Sequence, residues 1–210
     1  MKKVILSLAF LFSIAIIGTA QTSTDSVKFH WGVRVGAGFG KISGSSFDTK
    51  MKAGGYIGVF GEYKLSSVFG IQPEVNLNTY NIKTVGTTPS VLIDGQAKTL
   101  YYADVPVLLK INASPVFSFV VGPQVSAILN NPNESDNSNN WYLNGKKGNT
   151  FKTTNFSAVG GFQLAFGHVR LQARYIAGIS NIANYNIQTY TQNQSWRSSQ
   201  IQIGLGYAIF

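Results

Sequence analysis

The stretch "HVRLQARYIAGIS", residues 168–180, places Val169, Leu171, Ala173, Tyr175, Ala177 and Ile179 on one alternating set and Arg170 and Arg174 on the other. A period of two is the mark of a β-strand with two unlike faces. The surroundings of such a strand must accept an unbroken apolar stripe on one side and two guanidiniums on the other. After residue 28 the same alternation dominates, and helical spacing is nearly absent. It recurs in eight stretches: 29–39, 54–65, 69–80, 99–111, 116–129, 156–166, 169–179 and 197–210. Ordinary strands run about 5–6 residues, so these long stretches need a special reason.

In each stretch one parity is apolar, as in Phe29, Trp31, Val33, Val35, Ala37 and Phe39, or Val105, Val107, Leu109 and Ile111. The other parity holds glycine, amides and charges, including Arg34, Glu62, Lys64, Gln72, Glu74, Asp104, Lys110, Gln163, Gln172, Gln200 and Gln202. The connections alternate in length. Residues 66–68, 112–115 and 167–168 read as tight turns, whereas 40–53, 81–98, 130–155 and 180–196 read as long loops. Compact soluble domains use connections of about 4–6 residues. Short turns at one end and long loops at the other predict an all-β fold, an eight-stranded antiparallel up-and-down transmembrane β-barrel with its turns in the periplasm and its loops outside the cell.

A soluble barrel would show its polar parity to water and its apolar parity to an internal ligand. Three features favour the inverse. Glycines 32, 36, 38, 58, 122, 178, 204 and 206 fall on the polar parity, which suits the crowded lumen of a small barrel. Aromatic residues mark the strand ends, with Phe29, Trp31, Tyr63, Phe69, Phe117 and Phe166 near the turns and Phe39, Tyr101 and Phe156 near the loops, as two membrane girdles require. Ten residues tilted about 45° cover roughly 23 Å, close to the apolar band of outer-membrane barrels.

An arginine facing lipid at the midplane costs about 2–4 kcal/mol. Arg170 and Arg174 must therefore point inward, where they need partners. Arg34, Glu62, Glu74, Asp104, Lys110, Arg170 and Arg174 form the expected interior charge network, with Arg34, Glu74 and Arg174 near mid-depth. Eight strands leave an interior only wide enough to be filled by side chains, so the expected lumen is plugged.

The first twenty residues read as a cleaved export signal: Lys2 and Lys3, an apolar run from Val4 to Ile17, then Gly18-Thr19-Ala20. Residues 21–28 would form a short periplasmic segment and 29–210 the barrel domain. The chain has no cysteine, which excludes disulfides and lipid attachment through one. Charged residues make up 12% of the chain, well below the roughly 25% of soluble domains. The formal charge of +9 would suit nucleic acid, but an exported chain meets anionic lipid headgroups instead, so no nucleic-acid partner is expected.

The strings "WGVRVGAGFG" (31–40), "GIQPEVNLN" (70–78), "YYADVPVLLKI" (101–111) and "VVGPQVSAIL" (120–129) resemble, in order, the first, third, fourth and fifth strands of the PorT-like family of small outer-membrane barrel proteins. The pattern around Pro106 and Lys110 is the most distinctive, followed by Pro73-Glu74. The resemblance implies barrel wall and no chemistry. It also implies a link to protein secretion, through the family's namesake. The segment "VNLNTYNIKTVG" after Glu74 departs from the family's usual aromatic-x-x-Lys-Gly ending.

No catalytic arrangement emerges. G-x-S-x-G is absent, the two histidines, His30 and His168, are far apart in sequence, and "GAGFGK" (36–41) puts Lys41 where a nucleotide loop needs its third glycine and is followed by no helix. Neither a cofactor nor a bound metal is expected. The loops carry Lys41, Lys50, Lys52, Lys83, Lys98, Lys146, Lys147, Lys152 and Arg197 against Asp48, Asp94, Glu134 and Asp136. Lys50, Lys52, Lys146, Lys147 and Lys152 are candidate anion contacts, and lipopolysaccharide phosphate is the expected counter-charge. The reading is a monomeric, non-enzymatic outer-membrane barrel that anchors the envelope or displays loops to another envelope or secreted protein. The alternatives are a secretion accessory and a narrow solute channel.

Overall fold

Eight long strands close into a ring in the computed structural model, which describes residues 29–44, 48–85, 97–129, 142–143, 146–147, 154–182 and 196–209. They are β1 (Phe29–Gly44), β2 (Lys52–Lys64), β3 (Phe69–Val85), β4 (Ala97–Asn112), β5 (Phe117–Ile128), β6 (Thr154–Phe166), β7 (Val169–Gly178) and β8 (Trp196–Ala208). Each pairs antiparallel with its neighbour in sequence. The pairing of β1 with β8, from Gly32 opposite Ala208 to Gly44 opposite Trp196, closes the ring. Closure leaves no strand edge, and a sheet in hydrocarbon requires this because lipid offers no hydrogen bonds.

Exposure along the strands decides between lipid and water. Val35 is 55% exposed while its neighbour Arg34 is 2% exposed. The contrast repeats in β8, where Ile203 and Leu205 lie outside while Gln200 and Gln202 are buried. The outer surface is therefore apolar and the interior polar, the inverse of a water-soluble barrel. Strand β7, ten residues long, already reaches the roughly 9–11 needed to cross a bilayer. Strands β1, β3 and β4 run to 16, 17 and 16 residues, longer than expected, and their extra length lies at the loop end. There Lys41, Ser43, Asn81 and Lys83 interrupt the alternation: above the lipid no face needs to be greasy, yet the backbone ladder continues. The short strand Asp48–Lys50 joins this extension by pairing with both β1 and β3.

The turns have distinct local causes. Ser66 Oγ accepts hydrogen bonds from the amides of Val68 and Phe69 at 3.2 and 2.9 Å. Ser114 does the same for Val116 and Phe117 at 3.3 and 3.0 Å. Hydroxyls that bond the backbone two or three residues on stabilise tight turns. The β6–β7 turn is the two-residue Gly167-His168, with Gly167 at φ 59°, a conformation open to glycine and costly for a side chain with a Cβ.

Two aromatic side chains on the polar parity explain much of its glycine. Tyr56 and Phe60 of β2 point inward and are buried. A Cβ on Gly36 would lie 2.7 Å from Tyr56 Cε1, and one on Gly32 would lie 2.7 Å from Phe60 Cζ. Overpacking of this kind costs about 1–3 kcal/mol. Replacing Gly36→Val should therefore lower the fraction of chain that migrates as a folded, heat-modifiable species in unboiled gels. A fraction equal to that of the parent would contradict this account of the glycines.

Candidate functional site

Among the described residues charged side chains converge in the lumen, and four consecutive inward positions of β3 build its middle. Gln72, Glu74, Asn76 and Asn78 are all buried. Glu74 accepts two hydrogen bonds from Arg174, Nη1 to Oε2 and Nη2 to Oε1, both at 2.8 Å. Arg34 Nη1 donates to the same Oε2. Gln72 and Asn76 add amide donors at 2.7 and 3.2 Å. A buried carboxylate held by two guanidiniums and two amides has its lone pairs well occupied, the condition under which a buried ion pair survives its desolvation cost.

Strands β3 and β7 stand four apart in a ring of eight, on opposite walls. The bidentate Arg174–Glu74 pair therefore crosses the full width of the lumen. Arg34 reaches the pair from β1 and lies over the ring of Tyr56, 4.8 Å from its centroid. The Tyr56 hydroxyl accepts a bond from Gln172 Nε2 at 3.2 Å. An apolar patch of Leu108, Val120, Val159 and Ile176 fills the β4–β7 side.

Above and below this level the contents differ. Toward the loops, Asn78 donates to Asp104 Oδ2 at 3.1 Å and to Gln200 Oε1 at 2.9 Å, and Gln202 also donates to Gln200. Beyond the amides, Ile42, Leu100, Tyr102 and Ile182 pack with Tyr80 and Ile128 into an apolar layer. Toward the turns, Lys110 donates to Glu62 at 2.7 Å, and beyond that pair the lumen opens into a recess of about 380 Å³.

Of the seven residues expected in the interior network, Arg34, Glu74 and Arg174 meet in one cluster and Glu62 and Lys110 in a second. The other two form no ion pair among the described residues. Asp104 is buried and accepts hydrogen bonds from Ser126 and Asn78, with Arg34 acting on it through charge at a distance rather than by a direct ion pair. Arg170 sits at the turn-end mouth, where its Nη1 donates to the backbone oxygens of Gly167 and Val169. No described carboxylate forms an ion pair with it, the Glu62 carboxylate of the same recess being engaged by Lys110. The inward aromatics Tyr56 and Phe60 lie outside the expected charge network, although both fall on the polar parity with Glu62. That even spacing was the signal for them.

The candidate surface lysines are distributed over the loop end. Lys50 closes the short strand Asp48–Lys50, Lys52 opens β2 and is exposed, and Lys146 and Lys147 pair with Leu143 and Tyr142 in a small hairpin. Lys152, like residues 1–28 and most of 130–153, lies outside the described residues. Among the described residues no three His, Asp or Glu side chains come together as metal ligands.

Comparison with known proteins follows the same architecture. Residues 19–184 match the family described as the outer membrane protein beta-barrel domain. The chain belongs to that family. It is thus an integral β-barrel of the outer membrane. Ail, the attachment invasion locus protein of Yersinia pestis, is similar in fold, with a TM-score of 0.51 at 9% identity over 87% of this chain and 99% of its own. Ail has also been solved in complex with the heparin analogue sucrose octasulfate. Neisserial surface protein A gives a TM-score of 0.50 at 15% identity over 84% of this chain and 96% of its own. No curated protein is similar enough in sequence to be matched.

Removing the carboxylate from the central cluster would leave two guanidiniums facing each other in the lumen. Breaking one member of a buried ion cluster costs about 3–5 kcal/mol. Glu74→Gln should therefore move the urea midpoint of the micelle-folded barrel down strongly, and Asp104→Asn, which breaks no direct ion pair, much less. Equal shifts would show that Glu74 does not carry the charge balance of Arg34 and Arg174.

Proposed function

We propose that the protein is a non-conducting, non-enzymatic barrel that anchors in the envelope and offers its long loops to a partner. The observation that carries this reading is the Arg174–Glu74 pair, which bridges opposite walls at 2.8 Å. A hydrated ion cannot pass a contact that excludes even one water molecule. The apolar layer of Ile42, Leu100, Tyr102 and Ile182 is a second obstruction toward the loops. A route for solutes would have to dismantle both.

On this reading, residues 1–20 are a cleaved export signal and the mature chain works as a monomer. Lys50, Lys52, Lys146, Lys147 and Lys152 supply positive charge at the loop end, suited to lipopolysaccharide phosphates or to an anionic envelope or secreted protein. The protein purified in detergent and inserted into a planar bilayer should give no steady single-channel steps. A reproducible unitary current would overturn the plugged lumen and favour a narrow channel.

The resemblance of "YYADVPVLLKI" (101–111) and "GIQPEVNLN" (70–78) to the PorT-like family favours a second reading, an accessory role in protein secretion. Deleting the gene and comparing secreted proteins separates the two readings. An accessory role predicts depletion of a defined secreted set, whereas an anchor leaves the profile unchanged.

A further inference from the structure

The two ends of the lumen are not alike, and the turn end holds charge that the barrel does not neutralise. The recess there is lined by Glu62, Lys64, Lys110, Asn112, Ser118 and Arg170, among others. Its 380 Å³ falls in the range of about 300–1,000 Å³ typical of small-molecule sites. Lys110 is matched by Glu62 Oε1 at 2.7 Å. Lys64 and Arg170 are matched by no carboxylate among the described residues. Arg170 Nε makes no hydrogen bond, and Glu62 Oε2, in a side chain 4% exposed, receives none.

Lys64 comes from β2 and Arg170 from β7, three strands apart around the ring. Two cations therefore approach one recess from different walls, and the acid within reach is already engaged by Lys110. Charges brought together without a counter-ion repel, and an anion between them removes the repulsion and gains charge-assisted hydrogen bonds. The free Glu62 oxygen adds a further requirement. It repels a bare anion placed beside it but accepts a hydrogen bond from a hydroxyl or ammonium carried on the same molecule.

We propose that the turn-end recess, between Lys64, Arg170 and Glu62, is a periplasm-facing binding site for a small polar molecule that bears an oxyanion, carboxylate or phosphate, next to a hydrogen-bond donor. The oxyanion sits between Lys64 Nζ and the Arg170 guanidinium, and the donor faces Glu62 Oε2. The central cluster closes the lumen behind it, so the ligand enters and leaves from the periplasmic side.

Calorimetric titration of the barrel folded in a non-ionic detergent tests this with four probes: lactate, acetate, glycerol 3-phosphate and inorganic phosphate. Saturable binding at one site per barrel is expected for lactate or glycerol 3-phosphate, and which of the two binds separates a carboxylate source from a phosphate source. Acetate and inorganic phosphate should each bind more weakly than the related probe. Loss of one charge-assisted contact should weaken binding about tenfold in Lys64→Gln, and further in the Lys64→Gln/Arg170→Gln pair. Lys41→Gln, at the far end and outside the candidate anion contacts, should change nothing. Lys64 is exposed, so its single variant remains informative even if the pair folds poorly. Failure of all four probes to bind, or undiminished binding in Lys64→Gln, would overturn the proposal.

Discussion

Hydrocarbon supplies no partner for a backbone amide or a charge, and this refusal shapes every level of the molecule. It forces the strands to pair all the way round, so β1 meets β8 over thirteen opposed residues, from Gly32 opposite Ala208 to Gly44 opposite Trp196. It also drives every mid-membrane charge to the same side of the wall. Once inside a ring of only eight strands, those charges must satisfy one another. Among the described residues six charged ones are buried there: Arg34, Lys110 and Arg174 against Glu62, Glu74 and Asp104. The signs balance, as a low-dielectric interior demands.

A buried ion network is not an efficient way to add stability, since well-packed apolar residues of similar volume often do as well or better. Its value here lies in register. Slipping one strand by a single residue exchanges its faces. A slip of β7 would send Arg174 into lipid at about 2–4 kcal/mol near the midplane and Arg170 at a smaller cost nearer the interface, and would strand Glu74 without its bidentate partner. An interior of leucines would carry no such penalty, because both faces would then suit the membrane. The Arg34–Glu74–Arg174 cluster thus specifies which of several near-equivalent barrels forms.

The features that lipid enforces were legible in the sequence, and those that it does not enforce were less so. Strand number, inward and outward parity and the three tight turns follow from alternation alone. The meeting of Arg34, Glu74 and Arg174 at mid-depth follows from parity plus position along the strand. The upper ends of β1, β3 and β4 were set too short, because alternation fades at Lys41 and Asn81 while the hydrogen-bonded ladder goes on. Partner choice inside the lumen was harder, since it depends on which strands face each other and at what height. Asp104 takes an amide and Arg170 stays at the mouth for that reason. Tyr56 and Phe60 show a further limit: their inward parity was readable, but the glycines that receive them belong to β1 and β8, far away in sequence.

The stacked contents of the lumen also divide its two ends in a functional sense. An apolar layer lies below the loops, an amide layer and the ion cluster lie beneath it, and a polar recess opens toward the turns. Cross-wall hydrogen bonds at 2.8 Å span the lumen between the loop end and the turn end. The two ends are also joined through the wall itself, by strands whose ladders run unbroken, such as β1 against β8. A barrel this narrow therefore presents two chemically distinct ends, one of loops and one of turns, held apart by its filled middle.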